Sequence, residues 1–391
     1  MNVLMISLDA NLVVDEKEAS DSSQRRHIYY GKYLKSLFIV TFVGKRKNLN
    51  VKRLSSNVIV YPICYTNPFS YLYEAYKICC KICKENKIDL ITAQDPIICG
   101  LIGYFIKILF KIPLNIQIHG DYIDNKYWLR ESRLNYFLNI IGKFILRRAD
   151  TIRVVSTLLR KKIRELGIYS EKIVNIPLVS GIDHNMYVNA NGIKIREKYL
   201  SNKFKRIVLF VGRLTKSKNL PNLLKAIQYI VKENPEILFL IVGDGEERKY
   251  LIRLSRKLKI EENVAIIGPV PFFEVPQYYN ACDLFVLPSN YEGLARVLVE
   301  AAIAGKPIIA TDVSGVSDVV INNITGYIIR PNDPIALANA IRDIINNVKM
   351  LKVMGRIGRK CVYKRFNINL NVKQLINMWI MTVNRCKKSV G

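Results

Sequence analysis

Short apolar runs alternate with longer amphipathic segments from one end of this chain to the other, and that alternation restricts the fold more than any other feature. In the first half the runs are Val3–Leu8, Leu37–Val43, Val58–Ile63, Leu90–Ala93, Leu114–His119, Thr151–Val155 and Ile173–Ile176. In the second they are Ile207–Val211, Leu238–Val242, Val264–Ile267, Leu284–Leu287, Ile308–Thr311 and Gly326–Ile329. Helical patterns separate most of them, as at Asn222–Asn234, Arg248–Leu258, Glu274–Ala281 and Ile335–Val348. Strands and helices in alternation predict an α/β protein with parallel sheets covered by helices on both faces. A chain of 391 residues has room for two such halves. The boundary is expected near residues 186–205, where Asn189-Ala190-Asn191-Gly192 and Ser201-Asn202-Lys203 read as loop.

Ligands of open α/β sheets bind beyond the carboxyl ends of the strands. Two such sheets facing each other form a cleft lined by post-strand loops. Three of those loops place Gly or an ionisable group there: Gly212-Arg213-Leu214-Thr215-Lys216-Ser217-Lys218, Gly243-Asp244-Gly245-Glu246, and His119-Gly120-Asp121. A fourth, Asn290-Tyr291-Glu292-Gly293-Leu294-Ala295, leads into a helical pattern from Leu294 to Ala304 that Gly305 and Pro307 end. Gly293 is expected to turn the chain tightly there. Free N–H groups at a helix start bind anions, phosphates above all. Glu292 lies beside that position and Glu300 two turns into the helix. A phosphate bracketed by two carboxylates describes a ligand with a charged middle and hydroxyl-rich ends, such as a sugar nucleotide.

Other chemistries lack their signatures. Neither Gly-rich loop completes G-x-G-x-x-G, and no G-x-x-x-x-G-K-[ST] occurs. No Asp-x-Asp pair is available to hold a diphosphate through a divalent cation. Fixed cations and backbone N–H groups must then neutralise it, with Arg213 suited to bidentate contact and Lys218 to a point charge. Cys79, Cys80 and Cys83 are the only clustered thiols, and without a nearby His or second Cys pair they read as small apolar residues of an amphipathic helix. Scattered cysteines and the absence of a basic n-region before Asn2–Leu8 point to a reducing, cytoplasmic compartment. The uncharged run Pro96–Ile106 is 11 residues, short of a bilayer span, and reads as part of a buried helix. The net charge is +28, with 28 Lys/Arg against 16 Asp/Glu in residues 1–190 and 32 against 16 in the rest. A dense basic stretch from Lys143 to Lys172 includes Arg147, Arg148, Arg153, Arg160, Lys161, Lys162 and Arg164. Nucleic acid, an anionic membrane surface and anionic substrates all fit such a field.

The second half resembles the retaining glycosyltransferases of family four, the glycosyl transferases group 1. The matching elements are Phe210-Val211-Gly212-Arg213-Leu214 with Lys218, Val242-Gly243-Asp244-Gly245, Gly268-Pro269-Val270-Pro271, Tyr279 to Ser289, the E-x7-E of Glu292 and Glu300, and Gly305 to Thr311. The first half matches more loosely, through His119-Gly120, Arg148-Ala149-Asp150, Val155-Ser156, Ile176-Pro177 and Gly181-Ile182-Asp183. The resemblance implies a GT-B fold of two Rossmann-like doubly wound domains facing across a cleft. Residues 1–190 would be the acceptor side and 191–360 the nucleotide-sugar side, with a tail helix in 361–391 crossing back to the first domain.

What the resemblance implies about chemistry is specific. Arg213 and Lys218 would hold the donor diphosphate, and Glu300 the ribose hydroxyls. Glu292, with the N–H groups of Gly293, Leu294 and Ala295, would hold the donor sugar and phosphate. Gly212 and Gly243 would line the donor site, Val270 would meet the base, and His119 would approach the transferred sugar. Transfer would be retaining and metal-independent, from a nucleotide-sugar donor to a glycan, polyprenyl or lipid-linked acceptor. No cofactor is implied, and a peripheral place on the cytoplasmic membrane face is compatible with the basic first half. Two departures stand out. Arg296 follows Leu294-Ala295 where family members often have Phe-Gly, adding a cation near the donor. The loop from Asp9 to Arg26 is long and polar and lacks the usual Gly-Gly. Two other readings use the same features: a non-catalytic basic relative binding nucleic acid or membrane, and a sugar phosphorylase or sugar-phosphate synthase.

Overall fold

The computed structural model describes residues 1–13, 22–44, 50–64, 68–177, 182–200 and 203–388. The expected loop residues Ser201 and Asn202, Gly181, and residues 14–21 of the Asp9–Arg26 loop lie outside the described set. The chain forms two compact units, Met1–Gly181 with Asn367–Gly391, and Ile182–Phe366.

The first unit is built on strands β1 (Asn2–Ser7), β2 (Ser36–Gly44), β3 (Lys52–Ser55), β4 (Val58–Cys64), β5 (Leu90–Ala93), β6 (Leu114–Ile118), β7 (Thr151–Val154) and β8 (Ile173–Asn175). They form one sheet in the order β3-β4-β2-β1-β5-β6-β7-β8. All neighbours pair parallel except β3, which runs antiparallel on the β4 edge. β3 is absent from the sequence expectation. Its residues Lys-Arg-Leu-Ser are half-buried or exposed, so an edge strand of this kind leaves no apolar run to read.

The second unit holds β9 (Arg206–Val211), β10 (Ile237–Val242), β11 (Val264–Gly268), β12 (Leu284–Leu287), β13 (Ile308–Thr311) and β14 (Gly326–Ile329). Their order is β11-β10-β9-β12-β13-β14, all parallel. This is the doubly wound order of a Rossmann sheet. β10 and β12 are buried along their whole length, which is why they read as continuous apolar runs and not as alternation. Helices Leu220–Ile230 and Pro334–Ile345 bury Leu223, Leu224, Ile227, Ile341 and Ile344 against it.

The chain enters the second unit at 181/182, ahead of the expected 190/191. The cause is Tyr187 in the helix His184–Val188, which is fully buried in the second unit's core. Its carbonyl accepts from Asn280 Nδ2 at 2.7 Å. The tail divides as well. Helix Val348–Arg365 stays with the second unit, and helix Ile368–Lys388 belongs to the first. There Trp379 is fully buried and its indole N–H donates to Asn115 Oδ1 at 3.1 Å. Thr382 and Thr151 share a hydroxyl–hydroxyl bond of 2.8 Å.

Candidate active site

In the second sheet the strand order reverses between β9 and β12, so the loops that follow these two strands are neighbours. They are stitched together by Asn290 N–H, which donates to the Ser217 carbonyl at 2.8 Å. Asn219 adds a side-chain bond to Asn290 Oδ1 at 3.0 Å from a left-handed backbone, φ 48°. This stitching brings together two residues that the sequence placed in one site. Lys218 Nζ donates to Glu292 Oε1, and Ser289 Oγ donates to the same oxygen at 2.6 Å. Both side chains are mostly buried, 16% and 11% exposed. Among the described residues nothing donates to Glu292 Oε2. The carboxylate is therefore fixed through one oxygen and presents the other.

The loops after β9, β10 and β11 lie edge to edge. Gly212 N–H donates to the Val242 carbonyl at 3.0 Å, and Gly243 N–H to that of Gly268 at 2.8 Å. Gly243 has φ 135°, and a Cβ there would sit 1.9 Å from the Gly212 carbonyl oxygen. Only glycine lets these backbones approach so closely. Arg213 is exposed on this ledge, and among the described residues no carboxylate pairs with its guanidinium. Val270 follows β11 and is half-buried against the core.

The helix after Glu292 runs Arg296–Ile303, two residues later than expected, because Ala295 is extended with ψ 106°. No side chain caps its first turn, so its leading N–H groups keep their anion-binding capacity. Gly293, Leu294 and Ala295 precede that turn. Gly315 lies against this segment at φ 82°, where a Cβ would meet the Gly293 carbonyl oxygen at 2.4 Å.

Glu300 is 5% exposed, and both its oxygens are engaged. Tyr279 donates its hydroxyl to Oε2 at 3.0 Å, and Arg296 Nε lies 2.6 Å from Oε1. The Arg296 guanidinium also stacks 5.1 Å above the Phe272 ring. Burial, and then the Glu300 carboxylate, push the Tyr187 and Tyr279 phenols well above their usual range. Both therefore stay protonated beside the carboxylate. Tyr279 and Ser289 were not singled out from sequence for this role, and a hydroxyl carries no spacing signal. The i, i+4 spacing of Arg296 and Glu300 was a readable one.

The remaining sequence candidate, His119, lies in the first unit just beyond β6. Its Nε2 is 2.8 Å from Gln94 Oε1, and Nδ1 is buried with no protein partner. Burial and then the Arg153 charge hold its pKa well below the usual value, so the ring is neutral. His27 is buried too, its Nδ1 2.8 Å from the Ser23 carbonyl. Asp9 accepts from Ser23 and from Asn11 N–H, and Arg26 stands 3.6 Å away. Arg153, counted from sequence in the basic stretch, is no surface charge. It is 2% exposed and donates to Gln117 Oε1, the Ile176 carbonyl and the Pro177 carbonyl. In the cysteine cluster, burial pushes the Cys79 thiol up and that of Cys83 to about 12. Such thiols pack and do not react.

The chain as a whole is similar to known proteins. The profile of the glycosyl transferases group 1 matches residues 192–361, and that of glycosyltransferase family 4 matches residues 36–185. The UDP-Gal:alpha-D-GlcNAc-diphosphoundecaprenol alpha-1,3-galactosyltransferase of Escherichia coli is 29% identical over 319 residues, covering 78% of this chain and 79% of that protein. Among solved structures, sucrose-phosphate synthase from Thermosynechococcus elongatus superposes with TM-score 0.82 at 22% identity, covering 97% of this chain and 98% of the other. HepE of Anabaena in complex with UDP-glucose gives TM-score 0.76 at 20% identity, covering 96% and 98%. The chain belongs to glycosyltransferase family four, the glycosyl transferases group 1, and has the GT-B fold.

Proposed function

We propose that the chain transfers a hexosyl group from a nucleotide-sugar donor to a glycan, polyprenyl or lipid-linked acceptor, with retention and without a metal ion. The observation that carries this reading is the Lys218–Glu292 pair beside an uncapped helix start. A carboxylate that pairs with a cation and presents one oxygen lies four residues ahead of a helix whose leading N–H groups no side chain caps. A sugar phosphate asks for that combination. Glu292 Oε2 accepts from a sugar hydroxyl, while Lys218, Arg213 and the N–H groups of the 293–295 segment take the diphosphate. The Gly212–Gly243 ledge gives the phosphates close access to backbone, Val270 meets the base, and Glu300 takes the ribose hydroxyls through the lone pairs that Tyr279 and Arg296 leave on its two oxygens. His119, in the first unit, is a neutral ring and does not act as an acid.

In the step itself the bond from the anomeric carbon to the leaving phosphate oxygen breaks. The acceptor oxygen bonds to that carbon on the same face, and its proton passes to the departing phosphate. No protein nucleophile is needed, so stabilising the leaving charge carries the catalysis. Arg213 and Lys218, on the loop after β9, would take the part of a divalent cation in this reading. The Escherichia coli relative names a UDP-linked sugar and a diphosphoundecaprenol acceptor, and HepE is named with UDP-glucose; both support a nucleotide-sugar donor here. Eight free cysteines suit the cytoplasm.

The test is transfer from UDP-, GDP- and ADP-hexoses with EDTA present, using undecaprenyl-diphosphate sugars and soluble glycans as acceptors. The anomer of the product is read by NMR. An α-linked product from an α-linked donor is expected. An inverted product, or turnover only after a divalent cation is added, would overturn the reading.

A further inference from the structure

The first unit carries an apolar surface that the chemistry above leaves unused. Helix Arg133–Arg148 buries Gly142, Ile145 and Leu146 on one side. Its opposite side is apolar as well. Leu134, Phe137, Ile140 and Phe144 recur every three or four residues and face solvent, Phe137 at 60% and Ile140 at 64% exposure. A helix apolar on both sides is ordinarily enclosed. Its neighbour, helix Ile98–Phe110, repeats the pattern by burying Ile102 and Ile106 and exposing Phe105, Ile108 and Leu109. This corrects the expectation of a buried helix in this stretch. The two outward stripes form one surface, because the Tyr104 ring meets Phe144 edge-on at 5.5 Å.

Beside them, helices Pro68–Glu85 and Ile98–Phe110 enclose an open groove of about 480 Å³, lined by Leu72, Tyr73, Tyr76, Leu101, Phe105 and Leu109 among others. Cations border the apolar residues. Residues 98–148 contain eight Lys/Arg and three Asp/Glu, and the Arg148 guanidinium lies 5.0 Å from the Phe144 ring.

From this surface we infer that the first unit docks on an anionic phospholipid bilayer. The helices Ile98–Phe110 and Arg133–Arg148 lie in the interface, and an acyl chain enters the groove. Apolar and aromatic side chains fringed by Lys and Arg match the layering of a bilayer, whose hydrocarbon lies beneath its phosphates. The excess of cations argues against a second copy of this chain as the occupant, since two such faces would repel. The protein lies on the bilayer and does not cross it there, since no helix among the described residues is long and apolar enough to span. This inference rests on exposure and charge, not on the transfer reaction, so the two stand or fall separately.

The test is sedimentation with mixed phosphatidylglycerol–phosphatidylcholine vesicles and with pure phosphatidylcholine, without donor or acceptor. Wild type is expected to sediment with the anionic vesicles and to be released by salt. F137D/I140D, at exposed positions, should keep the wild-type melting temperature and lose about a hundredfold in vesicle affinity. Phe105→Trp should be quenched by lipids brominated along the acyl chain. The inference is overturned if wild type stays in the supernatant, if F137D/I140D sediments equally, or if Phe105→Trp escapes quenching. It is also overturned if wild type is a dimer that F137D/I140D makes monomeric, which would give the face to a second copy.

Discussion

Lys218 and Glu292 stand 74 positions apart, on loops after two different strands, yet the lysine ammonium donates directly to the glutamate carboxylate. The pair exists because β9 and β12 are adjacent where the strand order reverses, and because Asn219 and Asn290 tie their loops together. Ser289 Oγ donates to the same carboxylate oxygen at 2.6 Å. A cation and an anion held this way keep their places, which is the preorganisation that the proposed charge stabilisation requires.

The two residues are expected to act as one unit. Glu292→Ala and Lys218→Ala should each lower kcat/KM by about 10²–10³ with little change in overall fold. The double substitution should be barely worse than the more damaging single one. Steady-state kinetics on the three variants checks this, and losses that multiply would contradict it.

The glycine ledge sets a steric condition. Gly243→Ala would drive a methyl group into the Gly212 carbonyl at 1.9 Å, from a backbone at φ 135°. Stability should fall by about 2–4 kcal/mol, and nucleotide affinity with it. Denaturant unfolding of this variant at wild-type stability would show that the loops can separate freely.

The first unit depends on the returning tail. Trp379→Ala removes a fully buried ring and leaves Asn115 without its indole donor. A cost of about 3–5 kcal/mol is expected, read as an early transition in thermal unfolding. A single transition at the wild-type temperature would contradict the assignment of this helix to the first unit's core.

Acid should weaken the fold through buried histidine. Burial lowers the His27 pKa to about 4, against about 6.5 in the unfolded chain. Between those values the unfolded state binds more protons, so stability falls as pH falls, by about 3 kcal/mol at most. His119 shifts in the same direction and adds to the slope. His27→Asn should flatten the dependence of the urea midpoint between about pH 6.5 and 5. An unchanged slope would show that His27 titrates normally.

Much of this architecture was legible because the central strands are buried on both faces. β10 and β12 declare themselves as apolar runs, and the E-x7-E spacing marks Glu292 and Glu300. The edge strand β3 was not legible, since Lys52 and Arg53 carry no burial signal. The unit boundary was misplaced because Tyr187 looks like any loop-side tyrosine until Asn280 and the core around it are seen. Charge was the least readable property. Arg153 reads as part of a basic surface but is enclosed by carbonyls, whereas Arg296 turns to Glu300 and Phe272. Sequence supplies the charges, but the fold decides which of them meet water.

The most direct test of the donor site is calorimetric titration of UDP, GDP and ADP in EDTA, on wild type and on Glu300→Ala. One nucleotide should bind without a metal ion and lose at least about tenfold in affinity when the Glu300 carboxylate is removed. If none of the three binds, or if binding needs a divalent cation and survives Glu300→Ala, the account of this site is wrong.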